Sequence, residues 1–146
     1  MLALRATARA DLAAVIAWEA EPDTACWLGD TGPAWHDHAL SDPTQEHLIA
    51  LRAGVPVGFA VLARVPGPSV ELRRVVLAAE HRGSGHGRAL LRALLARAAT
   101  VHGATEVWLD VKADNTRARA LYAANGFTVS RAIGQLIFLS RPVAAR

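Results

Sequence analysis

The segment Arg82-Gly83-Ser84-Gly85-His86-Gly87-Arg88 sets alternating glycines between a β-branched run and a leucine-rich one. Glycines let a chain turn tightly and bring several N–H groups towards one point. A helix that begins there adds partial positive charge. Such a turn can cradle a phosphate or pyrophosphate, and Arg82 and Arg88 can supplement the amides with charge-assisted hydrogen bonds. Residue identity excludes two nucleotide-binding loops. A Walker A loop continues with Lys and then Ser or Thr, whereas Gly87 is followed by Arg88 and Ala89. A dinucleotide Gly-x-Gly-x-x-Gly pattern begun at Gly83 or Gly85 meets Arg88 or Leu90 where its third glycine should stand. A tight strand-to-helix turn without a ligand is the plain alternative.

Other residues that could do chemistry read as structural. Cys26 is the single cysteine, which excludes an internal disulfide and any multi-thiolate metal site and agrees with a reducing compartment. His36, His38 and Cys26 lack a second set of ligands at metal spacing, so they are expected at surface or lid positions, and no metal is expected. His86 lies within the turn, where a phosphate rather than a proton would be handled, and is read as structural. All but one of the 16 basic residues are arginine, Lys112 being the exception, yet the net charge is only +3 despite a pI near 10.0. The arginines are scattered among acids instead of forming a dense basic stripe with exposed aromatics, so nucleic-acid binding is not expected.

The elements that must position the turn follow from periodicity. A strand over Leu2 to Arg5 precedes a helix over Asp11 to Ala20, with Thr7 a candidate cap. Pro22 and Pro33 open two short helices, the first holding Cys26, Trp27 and Leu28 and the second running through Trp35 to Leu40, and together they suggest a lid. Acids around this lid (Glu19, Glu21, Asp23, Asp30) would suit a cationic acceptor or simply face solvent. Glu46 to Arg52 and Val57 to Val65 flank Gly54 as an antiparallel hairpin. Ser69 to Leu77 reads as a strand and Glu80 to Gly87 as a loop. Arg88 to Val101 reads as the clearest helix, with Leu90, Leu91, Leu94, Leu95 and Ala98 on one stripe. Glu106 to Val111, Phe127 to Ser130 and Leu136 to Ser140 are strands, and Thr116 to Asn125 is a short helix closed by Gly126.

The chain of 146 residues with 52% apolar content is expected to form one domain, residues 1–146. No apolar run approaches the roughly 20 residues of a membrane span, and no secretory signal is legible, so a soluble cytoplasmic protein without a membrane partner is expected. The order of elements is not a strict βαβ alternation and argues against a doubly wound fold.

The spacing Arg-x-x-Gly-x-Gly at Arg82, Gly85 and Gly87 resembles motif A of the GCN5-related N-acetyltransferases (GNAT superfamily). Two further segments carry the same resemblance: the strand Glu71-Leu72-Arg73-Arg74-Val75-Val76-Leu77 upstream, and Asn115-x-x-Ala118-x-x-x-Tyr122 before Gly126-Phe127. It covers roughly residues 57–127. It implies an α/β fold with a mixed, mostly antiparallel six- or seven-stranded sheet, helices on both faces and splayed central strands. It also implies acetyl-CoA as cosubstrate, with the pyrophosphate on Arg82, Gly83, Ser84, Gly85, His86, Gly87 and Arg88. The backbone of Val75, Val76 and Leu77 would pair with the pantetheine arm, an N–H near Val75 would face the thioester oxygen, and Asn115 would bond the CoA arm.

In this reading Glu71 is a general base or an ion-pair partner of Arg73, and Tyr122 donates a proton to the leaving thiolate. Trp27, Glu71 and Arg73 would meet the acceptor. The implied activity is acetyl transfer to a primary amine, a small molecule or a peptide N-terminus, by direct attack in a ternary complex. A non-catalytic acyl-CoA sensor is the alternative. Relatives are often homodimers.

Overall fold

The computed structural model describes residues 2–144. Seven strands, β1 (Leu2–Ala6), β2 (Gln45–Arg52), β3 (Val55–Ala63), β4 (Ser69–Leu77), β5 (Glu106–Lys112), β6 (Thr128–Ile133) and β7 (Leu136–Pro142), form one sheet in the order β1-β2-β3-β4-β5-β7-β6. Only β4 and β5 are parallel, as their connection through the long helix α4 (His86–His102) requires. The other helices are α1 (Leu12–Glu19), α2 (Pro22–Ala25), α3 (Pro33–Ser41) and α5 (Thr116–Ala124).

Strand alternation sends two sets of side chains to opposite faces. On one face Leu48, Leu62, Val70, Leu72, Val107 and Leu109 pack against Leu90, Leu91, Leu94 and Leu95 of α4, with Leu121 and Tyr122 of α5 at the margin. The leucine stripe read from the sequence is the buried face of that helix. On the other face Ile49, Phe59, Val61 and Val76 meet Val15 and Trp18 of α1 and Trp35 of α3. Among the described residues, the same face of β5, β7 and β6 carries no helix of its own.

Boundaries differ from the sequence reading where the partner decides them. Helix α4 starts two residues earlier, at His86, because Gly85 takes a left-handed conformation (φ 79°) and acts as its N-cap. Helix α2 ends at Ala25, before Cys26 and Trp27. Thr7 caps nothing: its hydroxyl bonds His47 Nδ1 at 2.8 Å. The turn into α1 is held instead by Asp11, whose carboxylate accepts from Ala8 N–H at 2.7 Å and pairs with Arg5 at 2.7 Å.

Candidate active site

Strands β4 and β5 are paired only through Ser69↔Glu106, Val70↔Val107 and Glu71↔Trp108, although both continue for several residues. Beyond Glu71 they diverge. The cause is local: a bulge in the β3–β4 ladder between Val61 and Leu62 gives β4 an extra residue at Arg73, and bulges bend and twist a strand. From Arg74 to Leu77 one edge of β4 stays paired with β3, and the other edge faces the open wedge. Its backbone groups there can pair with an extended ligand as a further strand would. Gly58 makes the approach of β3 to β4 feasible, since a Cβ at that position would lie 2.3 Å from Val76 O.

The wedge points at the glycine turn. Gly83 and Gly85 are left-handed (φ 82° and 79°), and no side chain caps α4. The first intrahelical bond at this end runs from Ala89 N–H to Gly85 O, so the earlier amides are left to an outside acceptor. Arg88 is exposed beside them. Arg82, expected to join this cradle, turns away. Its guanidinium donates to Leu77 O (2.9 Å) and ion-pairs with Asp23, while Thr24 and Glu21 stand beside it. It ties the end of β4 to α2. Ser84 is exposed, and His86 lies half-buried with its ring 6.5 Å from that of His81.

At the seam, Glu71 is buried and clasped by Arg73, which donates through Nε at 3.1 Å and Nη2 at 2.7 Å. Arg64 adds a contact at 3.4 Å and lies over the Trp108 ring. Arg64 adopts φ 61°, a left-handed conformation that is uncommon for a residue with a side chain and tends to occur where a site demands it. Asp110, two residues along β5 from Trp108, was not singled out as a site residue in the sequence. Although Asp110 is exposed, partial desolvation by its surroundings and the nearby Glu71 charge push its carboxyl pKa up, partly opposed by Arg73. A carboxylate perturbed in this way beside an open wedge is a candidate acid or base. The sequence carried one signal, an acid at alternate spacing from Trp108 on an apolar strand, but its neighbours come from strand pairing.

Tyr122 packs its ring edge-to-face against Phe127, centroids 5.5 Å apart, and burial pushes its phenol up to about 12. Asn115 is the N-cap of α5, its Oδ1 accepting from Ala118 N–H at 3.3 Å, and its Nδ2 is left for a ligand. Val75 and Leu77 pack into the α4 face and Val76 into the other, leaving only their backbone to the wedge.

The lid departs most from expectation. His36 is not a surface residue but fully buried, bonded to His47 at 2.9 Å and to Glu19 at 2.8 Å. Glu19 is buried too, accepting also from Gly32 N–H at 3.1 Å and pairing with Arg74 at 3.4 Å. Arg74 lies 3.9 Å over the Trp35 ring and donates to Asp30 O. Burial, reinforced by His36 and Arg74, pushes His47 down to about 4. Glu21 and Asp23 are engaged with Arg82, so the lid offers a cation few free carboxylates. Trp27 is half-buried past α2, whereas Trp35 is the lid indole that meets β4, through Arg74. His38 and Cys26 are exposed, and among the described residues no three His, Cys, Asp or Glu groups are placed to hold a metal ion.

The family description "Acetyltransferase (GNAT) family" matches residues 12–127. An uncharacterized N-acetyltransferase of Mycobacterium tuberculosis is 40% identical over 91 residues, 62% of this chain and 58% of that protein, less than two thirds of its length. N-alpha-acetyltransferase RimI of the same organism is 33% identical over 115 residues, 74% of this chain and 69% of that protein. Among solved structures, a spermidine N-acetyltransferase from Vibrio cholerae in complex with CoA and spermine superposes with TM-score 0.82 at 18% identity, covering 97% of this chain and 95% of that one. The ribosomal-protein-S18-alanine N-acetyltransferase from Escherichia coli does so with TM-score 0.76 at 20% identity, covering 100% and 96%. At such identities the structures establish the fold.

Proposed function

Because the chain belongs to the GNAT acetyltransferase family, we propose that it transfers an acetyl group from acetyl-CoA to a primary amine by direct attack in a ternary complex. The observation that carries this is the meeting of β4's unpaired edge with the uncapped start of α4: one offers strand-like pairing, the other amides for a pyrophosphate. Those two surfaces fit the extended, phosphate-bearing cosubstrate, whose bound form supplies an activated acyl carbon and a thiolate leaving group.

The chain's own residues then have distinct tasks. Gly83, Ser84, Gly85, His86, Gly87 and Arg88 hold the pyrophosphate, and Arg82 fixes the end of β4. The backbone of Val75 to Leu77 aligns the acyl arm, and an N–H near Val75 faces the carbonyl oxygen as negative charge develops on it. Asp110 takes a proton from the acceptor ammonium and so frees the amine lone pair to attack, since its raised proton affinity suits a base better than a carboxylate in water. Glu71, with both oxygens engaged by Arg73, positions Arg73 and Trp108 beside it. Tyr122 stays protonated at neutral pH. Full transfer to a thiolate, whose acid has a pKa of about 8.5, would run uphill, so Tyr122 acts by donating a hydrogen bond to the departing sulfur.

We also place the protein in the cytoplasm as a homodimer. The exposed edge strand β6, with Val129 and Ile133 more than half exposed, supports self-association. The test is thiol release from acetyl-CoA over a panel of amines. Amine-dependent release is expected, whereas CoA binding without release by any amine would leave a non-catalytic acyl-CoA-binding protein.

A further inference from the structure

The helix-free face of β5, β7 and β6 is built as an ordered row. Cross-strand partners lie side by side on one face. The register Asp110↔Phe138 and Arg131↔Phe138 therefore sets a carboxylate, a phenyl ring and a guanidinium next to one another on three adjacent strands. The neighbouring row is Glu71, Trp108 and Ser140. The two rings pair at 6.3 Å between centroids, and a shallow cavity of about 230 Å³ opens over them, lined by Trp108, Phe138, Arg131, Ser130, Ser140 and Glu106.

The charges on this face are not equivalent. Arg131 lies 4.5 Å over the Phe138 ring, and no carboxylate lies within ion-pair distance of it among the described residues. Its stacking leaves the N–H edges of the guanidinium to an incoming acceptor. Arg64 is mostly exposed over Trp108 and, with Arg73, more than offsets Glu71. Glu106 is turned to Ser69, whose hydroxyl donates to it at 3.1 Å. Asp110 is the carboxylate left at the wedge.

We infer that the acceptor is an amine that also carries an anionic group, its ammonium at Asp110 and its anion at Arg131, with an apolar spacer running beside Phe138 and Trp108. This rests on the acetyltransferase reading above. Adjacent strands lie about 4.8 Å apart, so the row sets the two charges of the acceptor roughly 5–10 Å from each other. That separation exceeds an α-amino acid's own and suits an ω-amino acid or a peptide N-terminus followed by an acidic residue. It disfavours polyamines: Glu19, Glu21 and Asp23 of the lid are engaged with His36, Arg74 and Arg82, and Arg131 and Arg64 stand over the two rings, with Glu106 the one carboxylate among the described residues that line the cavity.

The test compares kcat/KM for acetyl-CoA-dependent thiol release with 5-aminopentanoate, pentylamine, spermidine, and the dipeptides Ala-Glu and Ala-Lys as amides. Each ratio is taken within one protein preparation, so it does not depend on the fraction folded. Wild type is expected to prefer each anionic member by about tenfold or more, mainly through KM. The better of 5-aminopentanoate and Ala-Glu identifies the source. Arg131→Glu should reverse the preference and Arg131→Lys should keep most of it. Equal use of charged and neutral amines, a preference for spermidine, or an unchanged ratio in Arg131→Glu would each overturn the inference. Release by no amine would overturn the acetyltransferase reading and this inference with it.

Discussion

Asp110 and Glu71 are two carboxylates at one seam with different company. Arg73 occupies both oxygens of Glu71, while the exposed Asp110 has partial desolvation and a like charge against its ionisation. Activity that needs Asp110 ionised falls as pH drops through its raised pKa, so the acidic limb of kcat/KM should lie above the ordinary carboxylate range. Asp110→Asn is expected to lower kcat by about 10²-fold or more and remove that limb, measured as a pH–rate profile. Tyr122→Phe should reduce kcat by roughly tenfold with little change in KM for acetyl-CoA, in steady-state assays, because the hydrogen bond strengthens only as sulfur gains charge. The sequence spelled out Glu71, Tyr122 and the glycine turn because each belongs to a short local motif. It did not spell out Asp110 or Arg64 as site residues. Their roles depend on which strand lies beside β5, and local spacing cannot state that.

Elements were legible where one face of the sequence is apolar, as in α4 and β4, and less so where buried polar groups interrupt the pattern. Helix α3 is the example. His36 reads as a surface or lid residue, and its burial is not legible because its partners, Glu19 on α1 and His47 on β2, lie far along the chain. This knot fastens both helices to the sheet, and it responds to pH. His47 titrates near 4 in the fold, against about 6.5 in an unfolded chain, so the unfolded state binds more protons between these values. The stabilisation is fully present above about 6.5 and is lost as pH falls towards 4. It is worth on the order of 3 kcal/mol. Denaturant titrations should show stability falling across that window, and His47→Gln, which cannot protonate there, should flatten the slope.

For the whole molecule, the splay between β4 and β5 was implied by the family resemblance, while its cause, the bulge at Arg73, is a register effect visible only once β3 is paired. A ligand that pairs with the free edge of β4 would shield its amides from solvent. Adding CoA should slow amide hydrogen exchange in residues 73–77 and at the start of α4, read by mass spectrometry, with far smaller changes in β1 and β2. Unchanged exchange in β4 despite CoA binding would remove the strand-pairing role.

The three residue pairs that join β4 to β5 also divide the sheet into two halves. Of the groups proposed for the cosubstrate, the free strand edge and the glycine turn lie on β4 and at the start of α4, and Asn115 and Tyr122 on α5, while the row proposed to meet the acceptor lies on β5, β7 and β6. Substitutions at Phe138, Arg131 or Trp108 leave the glycine turn and the edge of β4 untouched. On the proposed reading, the amine that is acetylated can therefore change by substitution in the acceptor half while the donor half stays fixed.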